Sequence, residues 1–442
     1  MAPERRCFEI STRDDAPSHR PRLAMNSPQA KLKRARAAEV QEATDLKKFK
    51  SDLLAKSIIK SITKEQTTDR SVSALQFNHV PGSNCGNLFA TCAADFATVY
   101  DDEHFGDHIA LVVQFKNEKT AHVAGGDLTA LAWLDARGFS NHEFGDALLA
   151  VGGGDDNVVQ VISIAEGRVI KLLKGHGGRI LALAAGYAVA PSGDAPSRPE
   201  TVVVLSSDGV ATAWNWREET KVAALACPDA ISLALTPDGT RAFIGHKDGS
   251  VREWNVPAAK NAKNAKIATP APVNSATLVH LEGAHSGVPI DCARIVPGGP
   301  AGSTRLVTKS VDGAIRVSDV DANGKATSAA SWRVPGCARP KAGALLDSLC
   351  AFGTDPAGEF LAVGNAEGEL FVYDVATGEM VKTVEQDRDF KSLNLVRSAA
   401  VSADCRHAHA VFGPGTIWRS EVVPELEGLE EDGPSTPPEG GA

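Results

Sequence analysis

The stretch Leu148–His176, LLAVGGGDDNVVQVISIAEGRVIKLLKGH, decides how the rest of the chain is read. It opens with an apolar strand, Leu148 to Val151, and passes through a Gly/Asp turn from Gly152 to Asn157. The next strand alternates, with Val159 and Val161 on one face and Gln160 and Ile162 on the other. A Glu166-Gly167 turn leads into a third strand, Val169 to Leu173, followed by Gly175-His176. Short strand-forming runs joined by Gly/Asp turns predict antiparallel hairpins. One such unit says little alone, but this one recurs.

The turn and its following strand return as Asp208–Asn215 (DGVATAWN), Asp248–Asn255 (DGSVREWN), Asp312–Asp319 (DGAIRVSD) and Glu367–Asp374 (EGELFVYD). Each copy has an acid-Gly pair, a short strand, then an aromatic residue and Asp or Asn; Ser318 interrupts the aromatic position. The Gly-His element returns as Gly283-Ala284-His285. Weaker copies at Leu88–Asp101 and Val401–Trp418 bring the number of units to seven. A period of about 40–45 residues, with insertions placed in loops, belongs to WD-repeat propellers. The expected fold is therefore all-β, a seven-bladed WD-repeat β-propeller over residues 70–423. A closed ring leaves only short, protected sheet edges.

The chain has 442 residues, 43% hydrophobic and 23% charged, with a net charge of −9. One propeller with tails accounts for that length, and an acidic body argues against strong direct nucleic-acid binding by the ring. The eight cysteines (Cys7, Cys85, Cys92, Cys227, Cys292, Cys337, Cys350, Cys405) form no CxxC pair, and several lie in apolar runs, as reduced core cysteines do. No apolar run approaches the roughly 20 residues that span a bilayer, so no membrane partner is expected, and the basic N-terminus lacks the apolar stretch of a signal peptide. Residues 1–28 are polar and read as disordered. In residues 29–63, Leu46, Phe49, Leu53, Ile58 and Ile62 fall near helical spacing, predicting a basic amphipathic helix with Lys31, Lys33, Arg34, Arg36, Lys47, Lys48 and Lys50. That charge is a solvated face or, functionally, a nuclear import signal or an arm touching nucleic-acid phosphate, with import the favoured functional reading. Residues 258–276 are a low-complexity excursion, and 424–442 form an acidic disordered tail.

Catalytic constellations are not found. Gly152-Gly153-Gly154 lacks the Gly-Lys-Ser/Thr of a phosphate loop, and no GxSxG elbow occurs. His176 and His285 fit structural hydrogen-bond networks with an acid better than metal binding. Cys405, His407 and His409 lie two apart, which in a strand places all three on one face. They are zinc-type ligands, but no fourth ligand accompanies them, and the structural reading is preferred. Neither a catalytic residue, a cofactor nor a metal is expected.

Several words of the chain carry a family resemblance. They are Leu75-Gln76-Phe77-Asn78, Leu88-Phe89-Ala90-Thr91, Val99-Tyr100, Ala132-Trp133, Leu149-Ala150-Val151 with Gly153, Lys174-Gly175-His176-Gly177, Ile290-Asp291-Cys292-Ala293-Arg294, Leu361-Ala362-Val363-Gly364-Asn365, Leu370-Phe371-Val372-Tyr373-Asp374 and Ile417-Trp418-Arg419. In these words, and in their order over about residues 70 to 420, the chain resembles the embryonic ectoderm development (extra sex combs) family, the WD-repeat subunits of Polycomb repressive complex 2. The resemblance implies a nuclear, non-catalytic subunit of a histone methyltransferase complex. It would bind a helical segment of a SET-domain methyltransferase on one face, alongside other Polycomb subunits. On the other face the family captures trimethyl-lysine of a histone tail in an aromatic cage, by cation–π attraction. Here the family's cage positions fall at Ser73, Thr129, Ser348 and Leu349, none aromatic, while Asp291 and Arg397 match its peptide-rim positions. A degenerate cage with the scaffold role retained is the expectation. The alternatives are a generic WD-repeat adaptor, such as a ubiquitin-ligase substrate receptor, and an RNA-processing partner.

Overall fold

The computed structural model describes residues 28–64, 72–103, 109–139, 146–187, 198–258, 276–279, 285, 287–337, 345, 349–384, 395–412 and 415–422. The expected disordered tails and nearly all of the excursion at 258–276 lie outside these residues. The chain divides into two units, Met1–Phe49 and Lys50–Ala442.

The second unit is a propeller of seven four-stranded antiparallel sheets. Taken from the innermost strand outward, blade one is Val72–Phe77, Leu88–Ala93, Phe96–Asp101 and Ala110–Lys116. Blade two is Leu128–Leu134, Leu148–Gly153, Val158–Ser163 and Arg168–Leu173, so the stretch that opened the reading supplies its three outer strands. Blade three is Ile180–Ala185, Thr201–Ser206, Val210–Asn215 and Thr220–Ala226. Blade four is Ala230–Leu235, Arg241–His246, Val251–Asn255 and Thr277–Val279. Blade five is Ile290–Val296, Thr304–Ser310, Ala314–Val320 and Ala326–Arg333. Blade six is Gly353–Thr354, Phe360–Gly364, Leu370–Asp374 and Met380–Val384. Blade seven has Val396–Val401, His407–Phe412 and Thr416–Val422, and takes its outermost strand, Ser57–Lys64, from the N-terminal side of the ring.

The acid-Gly repeat is the turn between the second and third strands. Gly209 and Gly313 stand at φ +79° and +83°, backbone that a side chain resists. The preceding acids fold back on the same turn: Asp208 accepts from Ser206 Oγ at 2.5 Å and from the Val210 N–H at 3.2 Å, and Asp312 from Ser310 Oγ at 2.6 Å. Second strands such as Leu148–Gly153 and Thr201–Ser206 are buried at every position. Neighbouring blades cover both of their faces, which is why they read as apolar runs instead of alternating. The core is correspondingly inter-blade: Val159, Val161 and Leu173 of blade two pack with Val202, Val204 and Trp214 of blade three.

Two expectations are corrected here. The helix expected through residue 63 spans Pro28–Lys56 and stops there, and the propeller expected to begin at 70 begins at Ser57. Ser57–Lys64 pairs antiparallel with Thr416–Val422, from Ser57 opposite Val422 to Lys64 opposite Thr416. The segment is rich in β-branched residues (Ile58, Ile59, Ile62, Thr63), and the open edge of blade seven supplies the partner that outweighs helical spacing. Nor does the proposed apolar stripe behave as one, since Leu46 and Phe49 are 54% and 56% exposed. It is Leu54 that is buried, in the core of blades six and seven. Nearby, Lys50 reaches Glu359 at 3.0 Å and Asp355 at 3.4 Å. Burial disfavours the Lys50 ammonium, but those carboxylates outweigh it and raise its proton affinity. Among the described residues, no helix is long and apolar enough to cross a membrane.

Blades six and seven meet closely at Gly364, where an added Cβ would fall 2.1 Å from Val396 Cβ. Gly364→Ala is expected to destabilise the ring by about 1–3 kcal/mol through overpacking, read as a lowered denaturation midpoint. Combining it with Val396→Gly, which removes the Cβ in the way, should return part of the overpacking loss; a neutral single variant would show that the two blades separate freely.

Candidate functional site

The innermost strands surround a central channel, and a repeated irregularity shapes its narrow mouth. In blades one to five and seven, the pairing of the first two strands slips at the inner strand's second residue. The bulged residues are Ser73, Thr129, Leu181, Ile231, Asp291 and Arg397, and all six line one cavity of about 120 Å³. A bulge re-aims a side chain and breaks the two-residue alternation. The expected residues Ser73, Thr129, Asp291 and Arg397 thus occupy equivalent positions in four blades. Leu349 joins them at the same mouth, and Ser348 lies outside the described residues.

Their chemistry differs from residue to residue. Ser73 is exposed and Leu349 half-buried. Thr129 donates its hydroxyl to the Ile180 carbonyl at 2.6 Å, tying blade two to blade three. Ser232 does the same to Ile290 at 2.7 Å, between blades four and five. Asp291 does not stand on the rim as the resemblance implied. Its side chain is buried and pairs with the equally buried Lys309 at 2.6 Å, and the Cys350 N–H donates to the same oxygen at 3.2 Å. Burial pushes the Asp291 carboxyl up, with Lys309 pulling against it. Burial likewise disfavours the Lys309 ammonium, yet the Asp291 carboxylate outweighs it and holds the lysine protonated. Lys309 itself gave no sequence signal, because it sits in a strand, Thr304–Ser310, that otherwise reads as interior. Among the described residues, no aromatic side chain lines the narrow cavity. Trp133 and Phe352 are each 1% exposed, and Trp133 donates its indole N–H to the Gln76 carbonyl at 3.0 Å.

The other mouth is wider, a cavity of about 370 Å³ bordered by Pro81, Pro237, Pro297, Pro356, His79 and Tyr187. The prolines come from the turns that follow the innermost strands. Burial pushes the Tyr187 hydroxyl up to about 12 and the His79 imidazole down to about 4, so both are neutral at pH 7.

The histidines flagged in the sequence separate into distinct roles. His285 bonds Ser310 Oγ and Thr308 Oγ1, both at 2.9 Å, and Ser310 passes the contact on to Asp312. His176 packs on Trp214 with ring centroids 5.5 Å apart, and neither ring nitrogen has a hydrogen-bond partner among the described residues. Burial pushes both histidines down to about 4. Cys405, His407 and His409 do not converge. Cys405 sits in a turn at φ +60°, ahead of the strand His407–Phe412, and its thiol is buried in the core of blades six and seven. His407 Nδ1 and His409 Nε2 instead approach the two oxygens of Asp102, at 2.7 and 3.0 Å. Among the described residues, no group of three or more His, Cys, Asp or Glu is arranged to hold a metal ion.

No protein-family model matches the chain, and no curated protein matches it in sequence. Among solved structures, a chain of "Chaetomium thermophilum Polycomb Repressive Complex 2 bound to GSK126" is similar to it, with a TM-score of 0.62 over 83% of this chain and 98% of that one. The two share a fold. At 13% identity the likeness is one of architecture, and it is the seven-bladed ring that the repeats predict.

Proposed function

We propose that this chain is a non-catalytic WD-repeat scaffold subunit of a Polycomb-type histone-lysine methyltransferase complex in the nucleus. It holds the SET-domain catalytic subunit, with other Polycomb subunits alongside. The observation that carries the reading is the match of the ring to nearly the whole length of a Polycomb Repressive Complex 2 chain, coincident with the order of the short sequence words. A rigid ring without catalytic residues presents loop surfaces to partners, and a helical partner segment would be read as a helix in a groove.

Trimethyl-lysine capture has no place in this role. A cage needs several ring faces around the ammonium. The mouth offers Ser73, Leu349 and a Thr129 whose hydroxyl already bonds a backbone carbonyl. The acid at the family's rim position, Asp291, is buried and paired with Lys309. A tagged chain recovered from native nuclei is expected to bring down a SET-domain methyltransferase and histone-lysine methylation activity. Recovery of some other stable partner without either would move the function to a general adaptor. Titration with a trimethylated histone-tail peptide is expected to give no preference over the unmodified peptide, and selective micromolar binding would restore the cage.

A further inference from the structure

The waist of the channel differs chemically from both mouths. The two cavities share Leu75, Gln76, Leu131, Leu183, Leu233 and Arg294. Four buried leucines form an apolar collar, and the polar groups within it are one amide and one guanidinium. Arg294 is half-buried, and its Nη1 donates to the carbonyl of the adjacent Ala293 at 3.0 Å. Among the described residues, no carboxylate forms an ion pair with it. The acids nearby are engaged elsewhere. Asp291 is held by Lys309 and the Cys350 N–H. Asp355, on the wide cavity, accepts the Glu359 and Phe360 N–H groups, each at 2.8 Å, and faces Lys50. His79 on the same cavity is neutral at pH 7.

A guanidinium with no ion-pairing carboxylate among the described residues, set among leucines, attracts anions more strongly than one in water. We propose that the waist binds an oxyanion, a carboxylate or phosphate carried on a narrow arm, held by Arg294 with Gln76 donating a further hydrogen bond. The group enters by the wide mouth, where Pro81, Pro237, Pro297 and Tyr187 offer an apolar lining for the arm. The cavity of about 370 Å³ lies in the range of ligand-sized pockets. Charged hydrogen bonds of this kind are individually strong and fork-like at arginine. The ligand has the opposite charge to a methylated lysine. The inference needs only the channel and stands whether or not the chain belongs to a Polycomb assembly.

The test uses the full chain and four probes: a glutamate-rich peptide, a phosphoserine peptide, citrate, and a lysine-rich peptide as control. The expected result is saturable binding of at least one anionic probe, weakening as salt rises, with none for the lysine-rich peptide. Arg294→Met should weaken it at least about tenfold, the scale of one lost charged hydrogen bond. Gln76→Glu, which places a carboxylate beside the guanidinium at nearly unchanged volume, should weaken it as much while leaving the thermal midpoint in place. Binding of peptides without competition by citrate would identify an acidic or phosphorylated chain as the source; competition by citrate would identify a free anion. Failure of every anionic probe at millimolar concentration would overturn the proposal, as would unchanged binding in the variants. Should Arg294→Met fail to fold, Gln76→Glu decides the matter alone.

Discussion

Lys309→Met is expected to lower stability by about 3–5 kcal/mol, the scale of breaking one side of a buried ion pair. The Lys309 side chain is 1% exposed and its partner Asp291 is fully enclosed, with Nζ and Oδ2 2.6 Å apart. Without the ammonium, Asp291 keeps backbone N–H contacts such as that from Cys350 but no opposite charge, while its Oδ1 is buried with no hydrogen-bond partner among the described residues. The remaining carboxyl would be raised further by burial, and a raised folded pKa stabilises only below the unfolded value. The deficit should therefore be smallest near pH 4 and grow as pH rises through the raised pKa. Replacing both partners, Lys309→Met with Asp291→Leu, should recover most of the loss, since two apolar groups leave no charge to desolvate. Urea denaturation of the wild type and the two variants at pH 4.5 and 7.5 measures this. A single variant within about 1 kcal/mol of the wild type would mean that water reaches the pair.

The second large effect is expected at Asp102, where blade one meets blade seven. Its two oxygens take His407 and His409, and its backbone carbonyl accepts Arg419 Nη1 at 3.5 Å. His409 is completely buried against Phe77 and Phe89, with ring centroids 5.1 and 4.7 Å away. Asp102→Asn removes the charge that both imidazoles approach and is expected to cost about 3 kcal/mol, roughly two charged hydrogen bonds less the replacement ones. Burial opposes ionisation of Asp102, but His409 and His407 outweigh it and hold the carboxyl well below the usual range. A depressed carboxyl stabilises above its ordinary pKa and loses that contribution as pH falls through the folded value. The buried histidines act earlier. Burial lowers His409, and it pushes His79, His176 and His285 to about 4. The unfolded chain therefore binds protons first, and stability should fall as pH drops from about 6.5 toward 4. Wild-type protein is expected to weaken in that window at nearly full Asp102 contribution, with the Asp102 component vanishing only in stronger acid. Denaturation midpoints at pH 7.5 and 5 check this: Asp102→Asn should lie below wild type at both, and equal midpoints would show that the two histidines do not depend on the carboxylate.

These two residues also mark where sequence reading reaches and where it stops. The turns at Asp208-Gly209 and Asp312-Gly313 could be read directly, because left-handed backbone and an acid that folds back on it are local requirements. The doubly buried second strands could be read for a similar reason: every position in Thr201–Ser206 is covered, so every position selects against exposed charge. The bulges could not. Each resets the alternation at one residue, so Ser73, Thr129, Asp291 and Arg397 were found through matched words, and no periodicity revealed that they are equivalent. Arg294 stood in one of those words without drawing notice, since nothing local places it between four leucines from four other blades.

The sequence by itself determined the repeating unit, its approximate count and the absence of aromatic residues at the expected cage positions, because each follows from short-range turn chemistry and composition. Only the tertiary structure decided how the ring closes and what its channel carries. The strand Ser57–Lys64 finds its partner at Thr416–Val422, and Asp102 finds its histidines at 407 and 409. The competition between helix and strand at Ser57, and between rim and buried pair at Asp291, is settled by which surfaces are brought together across hundreds of residues. Propensity and spacing act over a few residues and carry no record of those meetings.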